Sequence, residues 1–378
     1  MKILFAIKNM SNAKGGAEKV LAVVMNGLAE RGYDLTLLTF DNRGVGTFYK
    51  LDPRIKRVSL GIGSSSKRSR FIETWARMRA IRKVVMVRKP DIVIPFMHSM
   101  FVPTTLTLAG TGIPVIASEH IVPKHYSKNR LEYLLLIIAV LLARKATVLS
   151  ASVKKLYPFF LRPKMIVMGN PVFVEGDDTD IAFKDPSRKI ILNVGRLSEQ
   201  KDQKTLIRAF ATLAENYPQW DVRIVGEGEA RPFLEELIAK HHLEDRVTLV
   251  GTTDRIYREY RHADIFAMPS KYESFGLATA EALAFGVPAV GFATCPGTNE
   301  IIADKKNGLL VKRGRNHVKN FADGLEHLMK DEALCIKYGE QGKADMEQYN
   351  FTRVIDNWER LIHETLGTQS TSNLESSR

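Results

Sequence analysis

KIILNVGRLSEQKDQKTLIRAFATLAENYPQWDVRIVG, residues 189–226, is the stretch on which the fold turns. It opens with a β-branched run, KIILNVG, closed by glycine, and crosses a polar loop. A helical pattern over Gln203–Asn216 follows, and the stretch ends on a second apolar run, DVRIVG. Strand, helix and strand in that order make a βαβ unit, whose parallel strands require a right-handed crossover with the helix laid on the sheet. The pattern recurs downstream in VTLVG (247–251), DIFAMPS (264–270) and PAVGF (288–292). Upstream it recurs in KILFAI (2–7), DLTLLTF (34–40), DIVIPFM (91–97), PVIAS (114–118) and ATVLSAS (146–152), with helical stretches such as Ala17–Arg31 between them. Two such series predict an α/β chain of two Rossmann-like, doubly wound domains facing across a cleft. The boundaries expected are 1–170 for the first domain and 188–366 for the second, whose last helix returns to the first. The acidic, Pro- and Gly-containing stretch 171–187 reads as a linker, and the polar tail GTQSTSNLESSR (367–378) as disordered.

Composition narrows the function. The chain has 378 residues, 45% apolar and 26% charged, the profile of an ordinary globular protein large enough for two domains. Its cysteines, Cys295 and Cys335, cannot build a disulfide framework, and no CxxC pair points to zinc or redox chemistry. Before Lys8 the start MKILFAIKNM has only the apolar run Ile3–Ile7, too short for a signal-peptide core. Tyr133–Ala143, the longest apolar run, falls well short of the ~20 residues that span a bilayer. A soluble cytoplasmic protein is therefore expected. Charge is divided unequally. Residues 1–170 carry 28 Lys and Arg against 9 Asp and Glu, a balance of +19, whereas residues 171–378 carry 27 against 33. An excess of this size points to an anionic partner for the first half: nucleic acid, an anionic membrane or a phosphorylated substrate.

Ligands of doubly wound sheets bind beyond the carboxyl ends of the strands, so strand-end motifs carry the functional reading. In NMSNAKGGAEKV (9–20), Gly15 and Gly16 precede a helix, where backbone N–H groups can approach a phosphate; a plain tight turn uses the same pair. The spacing matches neither GxGxxG nor GxxxxGK[ST], so neither an NAD fingerprint nor a P-loop is indicated. In GRLSEQKD (195–202), Arg196 and Lys201 sit on the loop after a strand and suit a diphosphate, with Asp202 placed to cap the next helix. GEGEAR (226–231) keeps Gly226 and Gly228 at another strand end. In PSKYESFGLATAEALAFGVPAVG (269–291), Ser274–Leu277 opens a helix whose first N–H groups suit a phosphate. Glu281, further along it, suits ribose hydroxyls, and Glu273 before it suits the hydroxyls of an attached sugar. His98 reads as structural. Asp178-Thr-Asp180 imitates a metal-binding Asp-x-Asp but lies in the linker, where it reads as a solvated charge run.

Taken together, ESFGLATAE (273–281), GRLSEQKD upstream and GGAE (15–18) near the start resemble the retaining family-4 glycosyltransferases of the GT-B fold, in the same order and over roughly residues 1–366. The resemblance implies a nucleotide-sugar donor held mainly by the second domain, an acceptor held mainly by the first, and transfer with retention of anomeric configuration and no obligatory metal or cofactor. Carried over by position, Arg196 and Lys201 contact the donor diphosphate, Glu281 the ribose and Glu273 the transferred sugar. The amides of Phe275, Gly276 and Leu277 face phosphate and sugar, Gly226 lies near the nucleotide, and Gly15–Gly16 abuts the diphosphate from the first domain. His120, in IASEHIVPK, matches the family's strand-end histidine near the reacting sugar. With no carboxylate placed as a covalent nucleophile, a front-face mechanism is implied, in which the departing diphosphate accepts the acceptor's proton.

KRSRFIETWARMRAIRKVVMVRK (67–89) sets Phe71, Trp75, Met78 and Val85 at helical spacing beside Arg70, Arg77 and Arg79. It reads either as a core-facing amphipathic helix with a solvated basic side or as one that docks on an anionic membrane or acceptor. Tyr133–Ala143 reads as a buried or shallow interfacial helix. The expectation is an enzyme moving a hexose or N-acetylhexosamine, from UDP-sugar in preference to other donors, to a lipid-diphosphate-linked saccharide. It would work peripherally at the inner membrane face. The rivals are a nucleotide-sugar epimerase on the same fold, which needs no basic amphipathic surface, and a nucleic-acid-binding protein, for which no helix-turn-helix, RNP or zinc signature appears.

Overall fold

The computed structural model describes residues 1–11, 16–62, 71–174 and 187–368. The chain divides into two compact units, one of Met1–Pro171 together with the segment from Phe351 onward, the other of Val172–Asn350.

The first unit runs β1 (Lys2–Ala6), α1 (Gly16–Glu30), β2 (Asp34–Thr39), β3 (Lys56–Ser59), α2 (Phe71–Arg88), β4 (Ile92–Pro95) and α3 (His98–Leu108). It continues with β5 (Ile116–Ser118), α4 (Arg130–Leu142), β6 (Lys145–Val148), α5 (Ala151–Leu156) and β7 (Met165–Val167). Its strands pair in parallel, in the orders β3-β2-β1-β4 and β5-β6-β7. Parallel bridges Val93↔Val115 and Phe96↔Ser118 join the two sets between β4 and β5. The order reverses between β1 and β4, and that switch point opens a crevice at the carboxyl ends of these two strands. Strands flanked by helices on both faces are apolar along their length, as β1 (Ile3, Leu4, Phe5, Ala6) and β4 (Ile92, Val93, Ile94) are.

The second unit repeats the plan with β8 (Lys189–Val194), α6 (Gln203–Ala211), β9 (Trp220–Val225), α7 (Arg231–Lys240), β10 (Val247–Gly251), α8 (Ile256–His262) and β11 (Ile265–Met268). Then follow α9 (Leu277–Ala284), β12 (Ala289–Phe292), α10 (Thr298–Ile301), β13 (Gly308–Val311), α11 (His317–Met329) and α12 (Glu332–Met346). Its sheet is parallel in the order β10-β9-β8-β11-β12-β13, so its switch point lies between β8 and β11. The last helix, α13 (Phe351–Leu366), belongs to the first unit and buries Val354, Ile355, Trp358, Leu361 and Ile362 in the core built on β1 and α1. Gly27 of α1 permits this approach: a Cβ there would lie 2.7 Å from Ile355. Arg31, just past the end of α1, locks it through Glu359 at 2.6 Å.

The structure corrects several local readings. Helix α6 ends at Ala211 and α9 begins only at Leu277, after Gly276. Asp202 does not cap α6 with its side chain; its backbone is left-handed (φ 55°) and its carboxylate accepts from Thr205 and Arg313 instead. On α2 the packed face is Arg77, Ile81 and Val85, at i, i+4 and i+8, while Trp75 stands 56% exposed. The apolar stripe read through Trp75 is therefore not the buried face. Arg77 is buried on the packed side, over the Phe40 ring at 4.5 Å, and is not part of the helix's solvated basic face. Helix α4 is divided along its length, burying Leu136, Ala139 and Val140 and exposing Leu131, Leu134, Ile138, Leu141 and Leu142. Among the described residues no helix is long and apolar enough to cross a membrane.

Candidate active site

The second unit gathers Arg196, Lys201, Glu273, Phe275 and Gly276 on the loops leaving β8 and β11, at the switch point, with Leu277 and Glu281 following in α9 and Gly226 apart at the end of β9. Lys201, on the β8 loop, donates from Nζ to Oε1 of Glu273, on the β11 loop, at 2.7 Å. Glu273 is only 8% exposed and Lys201 half-buried, so the pair holds charge in a partly dry place. Two further cross-loop bonds set this geometry. The Gln200 side chain donates to the Tyr272 carbonyl at 3.0 Å, and the Lys271 amide donates back to the Gln200 carbonyl at 2.9 Å. Arg313, just beyond β13, donates to the carbonyls of Pro269 and Ser270, each at 3.1 Å, and to the carboxylate of Asp202. Its guanidinium rests on the Phe292 ring at 4.3 Å. One arginine thus clamps the two loops that carry Lys201 and Glu273.

Glycine makes the remaining close approaches possible. Gly297 has φ 79°, and a Cβ there would sit 2.8 Å from the Glu273 carbonyl and 2.9 Å from the Phe275 amide. Gly276, with φ 90°, turns the chain into α9, whose first free N–H groups begin at Leu277. Phe275 is buried edge-on to Tyr349 at 5.0 Å, which pins the loop from behind. Glu281, one turn into α9, is 7% exposed and accepts from the Tyr260 hydroxyl at 2.9 Å. Burial, then Glu281, pushes the Tyr260 phenol well above its ordinary range, so it stays a donor. Arg196 differs from these: its side chain is 73% exposed and meets Glu229 at 3.1 Å, a surface pairing of the kind worth ~0–1 kcal/mol that a ligand easily replaces. Gly226 meets the backbone itself, for a Cβ there would lie 2.1 Å from the Gly195 carbonyl. Its place at the end of β9 thus has a packing reason independent of any nucleotide.

In the first unit His120 stands two residues past β5, half-buried, its Nε2 3.1 Å from the Ser118 hydroxyl and its ring stacked on Phe96 at 4.9 Å. Burial pulls the imidazole down to about 4, so it is neutral at physiological pH. Sequence reading passed over its neighbour. Glu119, 3% exposed, accepts from the amides of His120 and Ile121, both at 2.9 Å, and from the Tyr126 hydroxyl at 2.8 Å. Burial raises the carboxyl to about 7 against these donors, which pull it down. Glu119 therefore fixes the turn on which His120 stands. Gly16 is the exposed first residue of α1, and Arg79 is exposed on α2. Gly15, Arg70, Asp178 and Asp180 lie outside the described residues. His98, also read as structural, lies half-buried with Nε2 3.1 Å from Glu132. No three His, Cys, Asp or Glu side chains group closely enough to hold a metal ion among the described residues. Arg313, Gly297 and Glu119 lacked a local signal, apart from the Pro-Gly dipeptide that marks 296–297 as a turn.

Comparison with known proteins agrees with this architecture. Residues 14–172 match the family described as Glycosyltransferase Family 4, and residues 176–345 the family described as Glycosyl transferases group 1. An uncharacterized glycosyltransferase of Haemophilus influenzae is 28% identical over 96% of this chain and 99% of its own length. The Campylobacter jejuni GalNAc-alpha-(1->4)-GalNAc-alpha-(1->3)-diNAcBac-PP-undecaprenol alpha-1,4-N-acetyl-D-galactosaminyltransferase is 24% identical over 96% of this chain and 99% of its own. Among solved structures, Anabaena Alr3699/HepE in complex with UDP and glucose superposes with a TM-score of 0.74 at 19% identity, covering 96% of this chain and all of the other.

Proposed function

Since the chain belongs to the GT-B glycosyltransferases, we propose that it moves a hexose or N-acetylhexosamine from a UDP-sugar, with retention of configuration, to a lipid-diphosphate-linked saccharide at the inner membrane face. The observation that carries the donor half is the pairing of Lys201 with Glu273 beside the Gly276-capped start of α9. A cation, a buried carboxylate and free helix N–H groups then meet at one switch point. In this reading Arg196 and Lys201 neutralise the diphosphate, and the amides of Phe275, Gly276 and Leu277 bind its oxygens as charge develops on them. Glu281 accepts from the ribose, and Glu273 orients the sugar. His120 meets the sugar as a neutral imidazole held by Glu119, and the departing diphosphate takes the acceptor's proton. The named lipid-linked substrate of the Campylobacter relative, the UDP of the Anabaena structure and the +19 balance of residues 1–170 support the donor and acceptor chosen. The test is incubation with UDP-hexoses and UDP-N-acetylhexosamines and lipid-linked saccharide extracts, with NMR of the product linkage. An inverted anomer, or donor epimerised without transfer, overturns the proposal.

Two results are expected of the donor site. Activity should persist in excess EDTA, because side-chain cations and helix amides meet the diphosphate; activity lost with chelator and restored by manganese would contradict this. Glu281→Ala should weaken UDP binding ~10- to 150-fold, since a hydrogen bond to a charged group contributes ~1.5–3 kcal/mol. It also strips the acceptor from buried Tyr260, so Glu281→Gln, which keeps that bond, is the control. Unchanged titration of UDP in a folded Glu281→Ala protein would remove Glu281 from the site.

A further inference from the structure

At the switch point of the first unit, the carboxyl ends of β1 and β4 open on a cavity of about 520 Å³. Its lining is cationic on one side and mostly apolar on the other, where Glu132 of α4 is the charged exception. Lys8, from the end of β1, and Arg77, from the packed face of α2, line one side. Val102, Pro103 and Leu106 of α3 and Leu131 and Leu135 of α4 line the other. Arg77 is held in place by Phe40 and by the Ile62 carbonyl, to which Nε donates at 3.0 Å. Burial, and then the neighbouring Arg77, lowers Lys8 from its ordinary range, the mark of two cations sharing a space. Carboxylates near the cavity are already engaged: Glu132 with His98 at 3.1 Å and Asn129 at 3.0 Å, while Glu73 acts favourably on Arg77.

The apolar wall does not stop at the cavity. Leu131, Leu135, Ile138 and Leu142 follow one another at helical spacing on a single face of α4. Leu131, Ile138 and Leu142 are 65%, 36% and 51% exposed. That face runs about 17 Å along the helix, at 1.5 Å per residue. Arg130 and Arg144, both exposed, stand at its two ends. A soluble sugar has no use for such a stripe, and a membrane surface alone has no use for a cavity with two cations on one side. A molecule with a phosphate at one end and a hydrocarbon chain at the other uses both.

We propose that this cavity seats the phosphate end of the lipid-linked acceptor on Lys8 and Arg77, with the first units of its hydrocarbon chain lying on the leucine face of α4. The assignment rests on the acceptor named under the proposed function. It keeps Arg77 of the three arginines read in the sequence and pairs it with Lys8 at the end of β1 instead of with Arg70 and Arg79.

The test titrates the full chain, in excess UDP to fill the donor site, with farnesyl diphosphate, inorganic pyrophosphate and farnesol. Farnesyl diphosphate should bind at least tenfold more tightly than either fragment. Lys8→Met, which keeps the aliphatic stem, should weaken it about tenfold, a change of ~1.4 kcal/mol. Leu131→Gln, at an exposed position, should weaken farnesyl diphosphate but leave pyrophosphate alone, with unaltered melting in both variants. Pyrophosphate binding as well as farnesyl diphosphate, or neither variant altering affinity, overturns the assignment. Transfer assays separate this failure from the larger one. Continued transfer to lipid-linked saccharide with indifferent variants rejects only the cavity, whereas transfer to soluble saccharides alone rejects the acceptor reading as well.

Discussion

Lys201→Ala should lower kcat/KM for the nucleotide-sugar donor by ~10²–10³-fold, the loss typical of removing one preorganised group that stabilises charge in the transition state. It should also lower stability, which separates it from Arg196→Ala. Glu273 keeps only 8% of its surface, and Lys201 is its partner at 2.7 Å. Breaking a buried pair by deleting one member costs ~3–5 kcal/mol, because the other charge is left without compensation; solvent around half-buried Lys201 makes the low end the fitting figure. Adding Glu273→Gln to Lys201→Ala should restore most of the melting temperature and none of the turnover. Arg196→Ala, whose partner Glu229 is 62% exposed, should leave melting within about 0.5 kcal/mol of wild type while weakening UDP affinity. A Lys201→Ala protein with wild-type UDP affinity and turnover would place the lysine in the structure only, as the counter-ion of Glu273.

What the sequence made legible was periodic or local. KIILNVG contains β8 and PVIAS contains β5, while DVRIVG and ATVLSAS hold all but the first residue of β9 and β6, because continuous apolar runs bounded by turns need no knowledge of their neighbours. β3, KRVS, was not legible: it is an edge strand with exposed Lys56 and Arg57, and lacks an apolar run. Residues that act at a distance were hidden for a different reason. Arg313 reaches Asp202 from 111 positions away, and nothing in LVKRGRN marks it as a clamp. Arg77 was read as a surface cation because charge alone sends arginine outward; its stem and guanidinium instead pack on Phe40, which only the folded sheet supplies. In SEH the histidine drew the reading and the glutamate did not, since the three donors around Glu119 converge only once β5 and the turn after it are formed.

Glu119 and His120 should impose opposite pH dependences on stability. Burial raises Glu119 from 4.5 to about 7, so between those values the native state binds the extra proton and stability falls as pH rises. Burial lowers His120 from 6.5 to about 4, so between those values the unfolded state binds the extra proton and stability falls as pH falls. From 4.5 to 6.5 the slopes oppose each other, each at most ~1.4 kcal/mol per pH unit, and the wild type conceals both. Glu119→Gln keeps an acceptor for the two amides and sets an N–H against the Tyr126 oxygen in place of the carboxylate oxygen that accepts from it. Its stability relative to wild type should therefore rise with pH between 4.5 and 7, by up to ~3 kcal/mol. His120→Gln should do the reverse, its relative stability falling between pH 4 and 6.5, by less because solvent reaches the half-buried ring. Urea unfolding of the three proteins from pH 4 to 8, compared as differences at each pH, reads both. Flat differences would mean that neither group titrates in the native state as its burial requires. Turnover separates positioning from charge: at pH 8, where wild-type Glu119 is ionised and His120 neutral, Glu119→Gln should keep KM for the donor near wild type. Its kcat should fall only as far as the turn under His120 loosens, and Glu119→Ala, which frees both amides, should cost several-fold more.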